Sequence, residues 1–298
     1  MRGVPLFSRP AFRMNPSAPA RNGLPMPDPL PQTPGVESAL HARSPAAWRA
    51  ELGRRMALAR QPHPEGVTAP RLALLLAELG TMAEVWTAAA KIKNAAVVPA
   101  TLDRPVMLLP GFGTHPVRMG RMRRALEDAG HRVSDWGLGF NMGADADRLD
   151  RLVSRIEAMA RREREPLVLV GWSLGGLYAR EAAKRVPQAV GLVITLGSPF
   201  SGDLRANHAW RAYQAIAGHE VLDAPMAADL GTKPPVQTVA LWSARDGIVG
   251  PRAACGRAHE RDAAVAMRCT HLGFASHPAV IAEVRRQIER ARPERDGN

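Results

Sequence analysis

The segment Gly171-Trp172-Ser173-Leu174-Gly175 sets a serine directly after the apolar run Leu167-Val168-Leu169-Val170 and directly before a helical pattern opening at Leu174. So tight a strand-to-helix turn forces the serine into a strained conformation and stands its hydroxyl clear of the sheet edge. Side chains at 171 and 175 would collide with the neighbouring strand or helix, hence the glycines, and Gly176 keeps the helix close to the sheet. The helix N-terminus beneath the serine favours negative charge developing there. The chemistry open to such a residue is nucleophilic attack on an acyl group. A serine hydroxyl attacks poorly until a base removes its proton. Histidine can be that base, and then the acid to the leaving group, when a buried carboxylate fixes its tautomer and stabilises the imidazolium.

Both partners have candidates late in the chain. The apolar run Val236–Trp242 leads into Ser243-Ala244-Arg245-Asp246-Gly247, and Ala264–Arg268 leads into Cys269-Thr270-His271-Leu272-Gly273. His277 competes with His271 as the base. Asp203, Glu220 and Asp223 compete with Asp246, which alone follows a strand directly. Ser173, Asp246 and His271 all fall at the carboxyl ends of expected strands, where open α/β sheets hold their sites.

The elements that must position them begin at residue 105. Expected strands are Val106–Leu109, a weak one at His131–Val133, Leu167–Val170, Leu192–Leu196, Val236–Trp242 and Ala264–Arg268. Helical spacing marks about 117–129, 144–162 (Leu149, Leu152, Ile156 and Met159 inward), 174–186 and 279–290. Uniformly apolar strands separated by helices predict a mostly parallel sheet of six strands covered on both faces. Residues 201–235 interrupt that rhythm, and Trp210, Tyr213 and Ala217 at helical spacing suggest a small helical cap. Ahead of the sheet, residues 1 to about 35 are proline-crowded and aperiodic, as in a disordered leader. Residues 36–100 read as a helical extension. Its first helix, about Pro45–Arg60, carries a stripe of Trp48, Leu52 and Met56. Its second, about Arg71–Lys93, carries Leu72, Leu75, Leu76, Leu79, Met82 and Trp86, interrupted by Glu78 and Glu84. That second helix either packs on the main domain or lies on a membrane surface.

Over about residues 104–293 the chain resembles the α/β-hydrolase superfamily, in particular its lipase- and esterase-like members. The resemblance rests on the G-x-S-x-G elbow and on the chain order Ser173, Asp246, His271. It implies an α/β-hydrolase domain over 101–293, with Ser173 as nucleophile, His271 as base and Asp246 as the orienting acid. It further implies an oxyanion hole made of the Leu174 N–H and the Phe112 N–H of Pro110-Gly111-Phe112-Gly113. Lipase-like families usually carry histidine-glycine in that loop, where this chain has Pro110.

Composition narrows the alternatives. The chain has 298 residues, 46% hydrophobic, and a net charge of +12. Almost all the positive charge is arginine, spread along helices and mixed with acids, as in Arg121, Arg123, Arg124 and Glu127. That pattern makes solvated helix faces rather than a nucleic-acid surface. No H-E-x-x-H or paired-cysteine spacing calls for a metal, and no dinucleotide fingerprint calls for a cofactor. No run of about 18 uncharged apolar residues predicts a membrane span, and the start lacks a secretory core, so a cytoplasmic protein is expected. Cys255 and Cys269 imply no disulfide framework, though the two could pair. His115 is expected to begin a helix rather than line the site, and Trp136–Asn141 to serve either the acyl pocket or the core.

The expected activity is hydrolysis of a carboxylic ester, of a small molecule or a lipid, through an acyl-serine intermediate. Phe112, Phe140, Leu174, Phe200 and Trp210 would surround an apolar acyl group. A thioesterase or acyltransferase using the same three residues remains open, as does a catalytically silent binding module.

Overall fold

The structure is a computed structural model that describes residues 44–88, 100–224, 226 and 229–291, with backbone only over 81–88. The proline-rich leader at 1–35 and the end of the second extension helix lie outside the described residues. By internal contacts the chain forms two units, residues 1–47 and 48–298. Of the first, residues 44–47 are described, with Ser44 Oγ accepting from the Ala47 N–H at 3.2 Å.

The helices are α1 (Pro45–Ala59), α2 (Leu72–Ala88), α3 (Gly120–Glu127), α4 (Ala146–Glu163), α5 (Leu174–Arg185), α6 (Trp210–Ala217), α7 (Pro251–Cys255) and α8 (Pro278–Arg290). The strands are β1 (Pro105–Leu109), β2 (Arg132–Asp135), β3 (Leu167–Trp172), β4 (Val190–Leu196), β5 (Gln237–Ser243) and β6 (Ala263–Met267). They form one sheet in the order β2-β1-β3-β4-β5-β6, and every pairing is parallel. This is the α/β-hydrolase fold. Strand order reverses between β1 and β3, so the loops after these two strands open at a topological switch point, where such sheets bind ligands.

Alternation along the strands decides which helix covers which face. Met107, Leu109, Leu169 and Val193 pack with Leu149, Leu152 and Ile156 of α4 and Ala179 and Ala182 of α5. Their neighbours Val106, Leu108, Val168 and Ile194 pack with Met122 and Leu126 of α3 and Val280, Val284 and Ile288 of α8. A period of two in the strands and of 3.6 in the helices is the whole specification of this three-layer core. α4 buries the four residues that its spacing singled out, and Asp145 caps it by accepting from the Asp147 N–H at 3.0 Å. The expected helix at 117–129 begins instead as a 3-10 turn, Pro116–Met119, because Pro116 and the cap His115 start it one residue early.

The extension helices turn a different face inward from the one expected. Trp48, Leu52 and Met56 are exposed, as are Leu72, Leu76 and Leu79. Leu58 of α1 is buried, and polar groups make further contacts within residues 48–298. Arg55 Nη1 donates to the Ala215 and Ile216 carbonyls at 3.0 and 2.6 Å, and Arg54 Nη1 donates to Gly218 O. These carbonyls belong to the last turn of α6 and its cap, which has no intrahelical donor for them. On α2 the buried residue among the described side chains is Glu78.

The glycines at the elbow let α5 approach the sheet. A Cβ on Gly171 would overlap the Gly175–Gly176 backbone, and one on Gly175 would overlap the carbonyls of Leu109 and Pro110. Since backbone cannot rotate away as a side chain can, Gly175→Ala should destabilise the protein by about 1–3 kcal/mol, the usual range for overpacking. A urea unfolding midpoint equal to that of the wild type would contradict this close packing.

Candidate active site

Ser173 joins β3 to α5 with φ 53° and ψ −121°, a left-handed backbone that a residue with a Cβ adopts only at a cost. Its N–H donates to Leu196 O at 2.9 Å and its carbonyl accepts from the Gly176 N–H at 3.0 Å, so the strained turn is held from both sides. Leu174 is the first helical residue, and its N–H therefore points past the helix end rather than to a carbonyl one turn back.

The loop after β1 lies beside this turn. Gly111 packs against Trp172 and within 3.4 Å of the Ser173 Cβ, measured from where its own Cβ would stand. Asn141 holds the loop in place: its Nδ2 donates to Pro110 O at 2.8 Å and its carbonyl accepts from the Gly113 N–H at 2.7 Å. The segment 136–141 is thus a brace for the loop carrying Phe112. Trp136 is fully buried in the core, with Nε1 donating to Gly139 O at 2.9 Å. Sequence spacing gave no sign of the Asn141 contact.

Asp246 and His271 meet in the interior. Asp246 Oδ2 lies 2.8 Å from His271 Nδ1, with the side chains 1% and 3% exposed. Because a carboxylate only accepts, the proton of this bond sits on Nδ1, and Nε2 is left with its lone pair. The other carboxylate oxygen, Oδ1, accepts from the Ile248 and Val249 N–H groups at 2.9 and 2.7 Å, which fixes its orientation. Trp172, the residue before Ser173, donates from Nε1 to His271 O at 3.1 Å and so ties the histidine loop to the elbow. Burial disfavours the imidazolium, but the charge and hydrogen bond of Asp246, aided by the charge of Glu78, outweigh it. The His271 pKa is therefore raised above its ordinary value.

The rival groups have other partners. His277 is exposed and caps α8, Nδ1 accepting from the Ala279 N–H at 3.2 Å. His115 does the same for the Val117 N–H at 3.3 Å. Asp203 pairs with Arg205 at 2.7 Å, Glu220 accepts from Gln61 at 2.7 Å, and Asp223 lies on the 3-10 turn after α6. Cys255 and Cys269 are both free thiols, and burial, with the nearby charges of Asp246 and Glu78, pushes the Cys269 thiol up to about 12.

An apolar cavity of about 70 Å³ opens at Ser173, lined by Phe112, Leu174, Trp210, Tyr213 and Met226 among others. Tyr213 fixes the cap helix over it, its Oη accepting from the Ala144 N–H at 2.9 Å. Two residues expected there lie elsewhere. Phe140 is 57% exposed, against His115 in a separate arginine-lined groove, at the outward turn between the buried Trp136 and Asn141. Phe200 is fully buried under the guanidinium of Arg180, 4.1 Å from its ring centre. That guanidinium donates to the carbonyls of Leu230, Gly231, Thr232 and Glu260, so the pair serves to anchor the end of the cap segment.

Among the described residues no cluster of histidine, cysteine, aspartate or glutamate could hold a metal, and no helix is long and apolar enough to cross a membrane.

No protein-family model matches the chain. It is similar to the pimeloyl-(acyl-carrier protein) methyl ester esterase of Sodalis glossinidius (strain morsitans), 36% identical over 102 residues. That match spans 33% of this chain and 38% of the relative, just over a third of its length. Among solved structures it is similar to Aspergillus fumigatus lipase B, with 17% identity and a TM-score of 0.49 over 66% of this chain and 56% of that one. It is also similar to a structure from the metagenome-derived lipolytic enzymes LipS and LipT (15%, TM-score 0.49, 65% and 96% covered). A third is polyneuridine aldehyde esterase (12%, TM-score 0.44, 63% and 99% covered).

The geometry separates the two histidines. His277→Ala should cost about 0.5–2 kcal/mol of stability, as a lost helix cap does, and leave the reactivity of Ser173 toward a fluorophosphonate unchanged. His271→Ala should slow that labelling by orders of magnitude in a folded protein. The opposite ranking of labelling rates would reassign the base. With an all-parallel sheet reversing between β1 and β3, a strained serine elbow, and an aspartate and a histidine after β5 and β6, the chain has the α/β-hydrolase fold.

Proposed function

We propose that the chain is a serine hydrolase that cleaves carboxylic esters with short apolar acyl groups. The observation that carries this reading is the buried Asp246–His271 hydrogen bond beside a strained serine elbow. Burying an aspartate and a histidine together is costly unless they serve one another, and here the pairing leaves His271 Nε2 as the free base.

In this reading Ser173 Oγ attacks the ester carbonyl as His271 Nε2 takes its proton. The C–O double bond opens, and the oxygen carries the charge to the N–H groups of Phe112 and Leu174. Each such donor is typically worth about 10²–10³ in rate. His271 then returns the proton to the departing alcohol as the ester C–O bond breaks, leaving the acyl-serine. Water attacks the acyl-serine by the same route, with His271 again accepting and returning the proton. Asp246 stays ionised and stabilises the imidazolium in both halves. No cofactor or metal enters any step. The name of the Sodalis relative, a methyl ester esterase, supports an ester as the substrate class.

The cavity bears on the acyl group. By the measure on which one water needs about 10–15 Å³, 70 Å³ accommodates a short chain of a few carbons. Trp210, Tyr213 and Met226 from the cap segment line it, and the cap thereby governs acyl size and leaves the bond-making to the residues at the strand ends.

Mass spectrometry after fluorophosphonate treatment should find the adduct on Ser173 and none in Ser173→Ala. Labelling of another serine, undiminished in Ser173→Ala, would overturn the assignment. Only neutral His271 can take the proton, so kcat/KM should rise with pH along a limb above the ordinary imidazole value, the direction in which Asp246 moves it. Replacing Trp210 by Ala should shift preference among chromogenic esters toward longer acyl chains, with labelling of Ser173 largely retained. An unaltered acyl-length profile would place the substrate pocket elsewhere.

A further inference from the structure

The proposed mechanism makes no use of a buried carboxylate that lies close to it. Glu78, on α2 of the N-terminal extension, is 3% exposed and enters no ion pair among the described residues. An ionised carboxylate taken out of water needs hydrogen-bond donors in place of its hydration. Here the donors are three backbone N–H groups, and they come from two loops. Oε1 accepts from the His271 N–H at 2.6 Å and from the Gly247 N–H at 2.9 Å, and Oε2 accepts from the Leu272 N–H at 2.9 Å. Gly247 follows Asp246, and His271 is the proposed base itself. One carboxylate therefore holds the backbones of both loops whose side chains meet at 2.8 Å.

The fit of α2 to this spot is tight. A Cβ on Gly247 would overlap the Leu74 carbonyl and the Leu75 N–H, so a glycine after the aspartate is what admits the helix. Apolar attraction explains the docking only in part, because Leu74 and Leu75 are half-buried while Leu72, Leu76 and Leu79 on the same helix are exposed. The hydrogen bonds of the contact are made through the carboxylate.

We propose that Glu78 is a positioning residue for the Asp246–His271 pair, supplied by the extension helix to clamp the acid loop and the base loop in catalytic register. The proposal rests on the triad reading given above. Glu78 touches no substrate. It acts by fixing where His271 Nε2 points and, through its charge, by helping Asp246 to favour the imidazolium. The charged groups acting on His271 are Asp246 and Glu78, and the rings of Trp172 and Phe274 pack against it, so removing the Glu78 charge leaves Asp246 as the remaining anion.

The test compares the full chain with Glu78→Gln and Glu78→Ala, using p-nitrophenyl butyrate turnover and fluorophosphonate labelling across pH. Glutamine keeps one oxygen for the Gly247 and His271 N–H groups but sets an NH₂ against the Leu272 N–H and loses the charge. A misplacement of about 1 Å costs on the order of 10²-fold. The expected result for Glu78→Gln is a fall in kcat of about 10- to 100-fold with KM nearly unchanged. The acidic limb of kcat/KM should move to lower pH, because His271 loses a stabiliser of its protonated form. Glu78→Ala should show a larger fall in kcat. If Glu78→Ala does not fold, the nearly isosteric Glu78→Gln decides. Wild-type kcat and pH limb in Glu78→Gln would overturn the proposal. An unmoved limb beside a lower kcat would also overturn it by reducing Glu78 to a structural strut, as would a Glu78→Gln protein unable to fold. Failure of the underlying hydrolase reading is distinct from all of these, since wild-type Ser173 would then escape labelling.

Discussion

The left-handed backbone of Ser173 can persist only because its surroundings are packed too closely to let it relax. Gly171, Gly175 and Gly176 bring α5 against β3 and the end of β1, and the hydrogen bonds to the Leu196 carbonyl and from the Gly176 N–H close the turn. Much of the remaining architecture follows from that approach. The β1 loop must pass within reach of the serine, so its own glycine lies against Trp172. Asn141 must hold it there, and the 136–141 segment turns Phe140 outward. Strain concentrated at one residue is a common mark of a functional site, and the sheet around it supplies the stability that allows the strain.

Charge is handled in the interior by an unusual division of labour. Asp246 faces His271 with one oxygen and its own loop with the other, and Glu78 gathers the backbone donors of the same two loops. Arg180 is the positive counterpart. Its guanidinium is buried over Phe200, and burial lowers its pKa to about 10 while four carbonyls accept its protons. Each of these groups is satisfied mainly by backbone rather than by an opposite charge. Such bonds fix the course of loops, which is what residues 229–232, 246–249 and 271–272 require, lying as they do outside the regular ladders.

The cap and the extension share this polar logic. Arg54 and Arg55 of α1 take the orphan carbonyls at the end of α6, and Tyr213 ties α6 to the start of α4. The wall of the cavity is thus held from two sides by hydrogen bonds, while its inner surface, Trp210 and Met226 included, stays apolar.

Periodicity and chain order were sufficient to read the six strands, the inward face of α4, the elbow at Ser173 and the places of Asp246 and His271 just after strands, because each is encoded locally. A strand's alternation, a helix's stripe and a residue's place just after a strand are properties of neighbours in the chain. The placement of Phe140 and Phe200, the outward faces of α1 and α2, and the contacts of Asn141 and Glu78 were not legible in that way. They depend on which backbone donors and acceptors lie opposite in space, up to 194 residues away in the case of Glu78 and Leu272. Hydrophobic pattern names a face able to be buried. The tertiary structure decided otherwise for the extension, where unsatisfied carbonyls at the end of α6 and free N–H groups around His271 drew polar side chains inward and left Leu52, Leu72, Leu76 and Leu79 outside.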